Sequence, residues 1–116
     1  MDYPADATFY VRLALMRPRP GQDKRVSEVI DGLLAHFATQ PGYVRGYKLT
    51  GEPHVPEGQV GRLTVWASEA DANHAAIAQY VLSARSELMR LVDEDSHVER
   101  SYTAFDPQLA QAASGS

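Results

Sequence analysis

RLTVWASEADANHA, Arg62 to Ala75, carries the chain's only tryptophan at the end of an apolar run and directly before a helix start. The half that closes on Trp66 is rich in β-branched and aromatic residues and suits a pleated strand. The other half opens on Ser68, whose hydroxyl can satisfy a free amide at a helix N-terminus. Asp71 follows three positions on, where a capping box carries Glu. A helix is therefore predicted from Glu69 to about Tyr80. The largest side chain stands at a strand-to-helix corner where a small residue would turn more easily.

Working outward toward the N-terminus, GEPHVPEGQ, Gly51 to Gln59, has two prolines and two glycines and reads as a long mobile loop. It leads back to VRGYKLT, Val44 to Thr50, in which Arg45, Tyr47 and Leu49 alternate with Val44, Gly46 and Lys48. The two strands form an antiparallel pair, and QPGY, Gln40 to Tyr43, turns into the first of them. Before that turn, Val26, Val29, Ile30, Leu33, Leu34 and Phe37 repeat at the three-and-four spacing of a helix spanning Asp23 to Ala38. RPRPGQ, Arg17 to Gln22, separates this helix from a first strand, TFYVRLALM, Thr8 to Met16, whose two parities are both largely apolar.

Outward toward the C-terminus, Ser83 to about Val92 carries Leu88, Leu91 and Val92 on one side, as a second helical piece that continues the Glu69 helix with a bend. DEDSH breaks it as a solvated linker, and VERSYTAF, Val98 to Phe105, gives a fourth strand. Strand, helix, strand, strand, helix, strand is the α+β order of a ferredoxin-like domain, a four-stranded antiparallel sheet with both helices on one face. The other face then needs cover. Val11, Leu13, Leu63 and Val65 are too apolar for water and no third element remains, so a homodimer is expected.

With 116 residues the prior is one domain, here residues 8–105, with an N-terminal arm over 1–7 and a flexible tail over 106–116. The net charge of -4 shows no basic block, which argues against a nucleic-acid partner. There is no cysteine to form a disulfide, a thiolate metal site or a thiol nucleophile. The apolar N-terminal run is interrupted by Arg12, so neither a signal peptide nor a membrane span is expected, and the cytoplasm is the expected compartment. His36, His54, His74 and His97 show no HxxxH or HExxH spacing, so no metal is expected. No Gly-rich phosphate loop or GxSxG elbow occurs, which leaves flavin, nucleotide and serine-hydrolase readings without local support.

The PG turn before a helix, the QPGY turn, and LTVWASEADANHA together resemble the antibiotic biosynthesis monooxygenase domains of the dimeric alpha-plus-beta barrel superfamily, over about Thr8 to Phe105. The resemblance implies a homodimer, no cofactor, and a Trp66 that looks into a pocket between sheet and helices, where its indole packs on a flat aromatic substrate. The residue reading leaves two roles open for Trp66, core filler and pocket wall. Haem-degrading relatives use a histidine at the position of Arg85 and an asparagine near Ala14, and a guanidinium cannot ligate iron, so haem degradation is disfavoured.

A cofactor-free oxygenation of a phenol or hydroquinone needs only a dry aromatic pocket with groups that favour the electron-rich anion. Arg85 suits a developing phenolate, Tyr47 and Arg12 are candidate donors, and His74, Tyr80 and Met89 are further candidate lining residues. Arg62 shares parity with Trp66 but sits nearer the start of its strand. Each of these side chains also has a plain structural reading, as surface pair, sheet cover or core. The alternative function is a non-catalytic, small-molecule-binding or stress-related domain.

Overall fold

The computed structural model describes residues 7–52 and 58–109. The first six residues of the expected arm, the centre of the predicted mobile loop with His54, and the tail beyond 109 lie outside the described residues. The elements run β1 (Thr8–Met16), α1 (Asp23–Phe37), β2 (Tyr43–Thr50), β3 (Val60–Trp66), α2 (Glu69–Ala76), α3 (Gln79–Leu91) and β4 (Val98–Phe105), with a 3-10 turn at Glu94–Ser96. The sheet order is β2-β3-β1-β4 with every neighbouring pair antiparallel, the ferredoxin-like arrangement.

Parity decides what each strand offers. Ala14 and Met16 of β1 and Arg62, Thr64 and Trp66 of β3 are buried under the helices. Their alternates, among them Val11, Leu13, Leu63 and Val65, point to the opposite face and remain partly exposed. The helix side is closed by Val26, Val29, Ile30, Leu33 and Phe37 of α1 and by Val81, Ala84 and Leu88 of α3. A fully buried aliphatic side chain contributes about 1.5–3 kcal/mol, so this apolar layer is the main favourable term holding helices to sheet.

Two local features fix the path around the tryptophan. Ser68 is the N-cap of α2, extended at φ -154 and ψ 161, and its hydroxyl oxygen accepts from the Asp71 amide at 3.2 Å while donating to the Asp71 carboxylate at 2.9 Å. Gly42 sits at φ 82, and a Cβ there would run into Asp71; its carbonyl accepts from the Ala67 amide at 2.8 Å. The QPGY turn and the Trp66 corner are thus tied together, which is why that turn needs its glycine.

The second helical region departs from the sequence reading. The predicted helix to Tyr80 stops at Ala76, Ile77 and Ala78 form a break, and Tyr80 belongs to α3. Ala78 is extended at φ -61 and ψ 141, which ends one helix and caps the next. DEDSH is also more than a solvated linker. Asp93 pairs with Arg17 at 2.8 Å, its amide donates to the Arg17 carbonyl at 2.9 Å, and Pro18 bridges Val92, so the two chain segments beyond β1 and α3 hold each other. Asp106 accepts at its carboxylate from the amides of Gln108 and Leu109, so the segment that follows the domain starts on a capped turn.

Candidate functional site

The pairing of β1 with β3 sets Ala14 beside Arg62, Arg12 beside Thr64, and Tyr10 beside Trp66. All of them are on the helix-facing parity, so one strand pair sends two guanidiniums and an indole into the space beneath α2 and α3. β4 adds Glu99 beside Ala14 and Ser101 beside Arg12. Ala72, Asn73 and Ala76 of α2, Ile77 of the break, and Val81 and Arg85 of α3 roof the space. The cleft, open to solvent past the exposed Ile77, measures about 620 Å³, within the range of small-molecule sites.

Trp66 is wall and core at once. It lines the cleft yet is only 1% exposed. Its Nε1 donates to Thr64 Oγ1 at 3.0 Å, and the Phe37 and Tyr43 rings meet it edge-on at 5.7 and 5.8 Å. The indole is therefore held in the core, bordering the cleft with almost none of its surface open to it.

The electrostatics of the cleft are lopsided. Arg85 Nη2 pairs with Glu99 Oε1 at 2.8 Å and donates to Oε2 at 3.0 Å. Burial pushes the Glu99 carboxyl up, but Arg85, with His97 and Arg62, outweighs it and leaves the group below its ordinary range. Arg12 donates to the neutral Asn73 side chain and lies 5.2 Å from the centroid of the Tyr10 ring. Arg62 is 8% exposed, rests 5.7 Å from the centroid of Phe37, and has no hydrogen-bond acceptor among the described residues. Burial, then repulsion from Arg85 and, more weakly, Arg12, pushes the Arg62 pKa down to about 10 against the pull of Glu99, so the group remains a cation at neutral pH.

The structure brings Trp66, Arg85 and Arg12 of the sequence candidates into one cleft. It does not bring Tyr47, His74 or Tyr80 there. Tyr47 pairs with Leu63 on the opposite sheet face, where its hydroxyl accepts from Arg45 at 3.4 Å. His74 is an exposed residue of α2 turned away from the cavity. Tyr80 stacks on His36 at 5.0 Å against α1, with its hydroxyl in the space that Gly32 leaves open. Met89 borders a separate cavity of about 30 Å³, on whose far side Arg62 and Arg85 appear again. Arg85 pairs with Glu99 rather than with Glu87 or Asp93, because Glu87 is taken by Arg25 and Asp93 by Arg17.

Sequence reasoning undervalued Arg62 and missed Asn73 and Glu99. The signal for Arg62 was present, since residues 62, 64 and 66 must share a face of one strand. Glu99 was not accessible that way, because its place beside Ala14 depends on the β1–β4 register.

No family model matches the chain, and no curated protein does. Solved structures do. Rv0793 from Mycobacterium tuberculosis superposes with a TM-score of 0.74 at 12% identity, over 84% of this chain and 96% of the other. SnoaB, a cofactor-independent oxygenase from Streptomyces nogalater, gives 0.71 at 19% identity, over 83% and 92%. A protein of Nitrosomonas europaea described as a candidate antibiotic biosynthesis monooxygenase gives 0.72 at 11% identity, over 90% and 94%. Identities this low carry the fold, and the fold is the one these proteins share.

Proposed function

We propose that this chain is a homodimeric, cytoplasmic, cofactor-independent monooxygenase of a small phenol- or hydroquinone-like aromatic compound. The observation that supports it is the one cleft that Trp66 borders and to which Arg12, Arg62 and Arg85 supply positive potential. SnoaB, described as a cofactor-independent oxygenase, has the same fold. In such a site the protein stabilises a bound phenolate, which is a better electron donor to oxygen than the neutral phenol. One oxygen atom enters the ring system, the other leaves as water, and the substrate supplies all four electrons. Trp66 and the apolar roof orient the ring and exclude bulk water.

The test is oxygen consumption by metal-free protein with a panel of hydroquinones and anthrones. Uptake above the buffer rate is expected, with a loss of at least about ten-fold in Trp66→Phe, whose smaller ring leaves part of the wall open. No uptake with any compound, or an undiminished rate in that variant, would count against the oxygenase.

A second reading has its own support. Glu99, the carboxylate that lines the cleft, is engaged by Arg85, so the site lacks a free general base among its described residues. A domain that binds an aromatic molecule without turning it over fits that shortage. Binding without oxygen uptake would favour it.

A further inference from the structure

Within a chain of net charge -4, the cleft concentrates positive charge. Four arginines border it, Arg12, Arg62 and Arg85 from the helix side of the sheet and Arg100 from a strand position of the opposite parity, against one carboxylate, and that carboxylate is held by Arg85. Among the described residues Arg12 is satisfied only by neutral groups, Asn73 and Tyr10. Arg62 is nine-tenths buried and faces the cavity without an acceptor, while the Phe37 ring against it offers no lone pair in the plane of the guanidinium. A largely buried cation with no hydrogen-bonded counter-ion among the described residues is a standing cost to folding, and a hydrocarbon side chain of similar length would fill the same space without it. The cost is understandable where a bound ligand supplies the missing negative charge.

We infer that the ligand of this cleft is an aromatic carboxylate, its carboxyl group docked on Arg62 with Arg12 as the second cation and its ring against Trp66. The inference rests on the cleft being the aromatic site described above, and it names the substrate class of that site. A planar carboxylate matches the fork of a guanidinium with two parallel hydrogen bonds. A phosphate is the poorer match: no glycine lines the cleft, so there is no amide cradle of the kind that phosphate groups use. Thr64 is engaged by the indole Nε1, which leaves the guanidinium as the polar group of β3 facing the cavity with no hydrogen-bond partner.

The experiment compares 2-naphthoate with its neutral isostere 2-naphthamide by calorimetric titration of the full chain. The wild type is expected to bind the carboxylate at least about ten-fold more tightly, the scale of one charge-assisted pair. Arg62→Met is expected to lose that preference while keeping its affinity for the amide, and Arg62→Lys to keep part of it. Thermal unfolding establishes that each variant is folded, and Arg62→Gln takes the place of Arg62→Met should the latter not fold. Equal binding of the two probes by the wild type, or a preference that survives in Arg62→Met, overturns the carboxylate inference and leaves the aromatic cleft standing. Failure of both probes to bind overturns the two together. An intact preference without oxygen uptake by any substrate supports the carboxylate site and removes only the oxygenase.

Discussion

Arg62 is held between two demands, a strand parity that turns it inward and a charge that resists leaving water. The same conflict predicts that Arg62→Met raises the unfolding free energy by about 1–3 kcal/mol, because it removes a largely buried cation that has no hydrogen-bonded counter-ion among the described residues and keeps the volume. Urea denaturation checks it, and a variant less stable than the wild type would mean that Arg62 has a structural partner after all. Trp66 was readable in the sequence as an indole at a corner; it is core by burial and also borders the cleft. Tyr47 was not readable in the same way. Its strand alternates cleanly, but a bulge between Tyr43 and Arg45 shifts the register, so Tyr43 stays beside Trp66 while Tyr47 turns to the opposite face.

At the level of elements, local chemistry carried the prediction wherever it acts within a few residues. The Ser68 cap, the α1 stripe and the span of β4 are all short-range features, and the structure reproduces them. Ser68→Ala is expected to cost about 1 kcal/mol through loss of the hydroxyl that accepts from Asp71, read as a lower urea midpoint with an unchanged slope. The break at Ile77 and Ala78 was misplaced because neither residue is a helix breaker; β-branching at Ile77 is a weak signal. What ends α2 there is tertiary. Ala72 and Ala75 bury one short face, and α3 must leave at an angle to bury Val81, Ala84 and Leu88.

Taken as a whole, the sheet has one face under helices and one face bearing Val11, Leu13, Leu63 and Val65, with Tyr47 and Tyr102 half exposed around them. A second copy is the cover proposed here, since isologous packing of two such faces would dry both. Light scattering at micromolar concentration is expected to give twice the mass of the 12.8 kDa chain, and Val65→Asp to reduce it to the single-chain value. A stable wild-type monomer would refute the dimer without touching the cleft, which lies on the other side of the sheet. The cavity roof carries one last consequence. Because α2 and α3 meet at a joint of two residues, and Ala76, Ile77 and Val81 around it line the cleft, the aperture is set by the angle of that joint. A change at either residue of that dipeptide is therefore a change in the mouth of the cleft, while the sheet floor stays as it is.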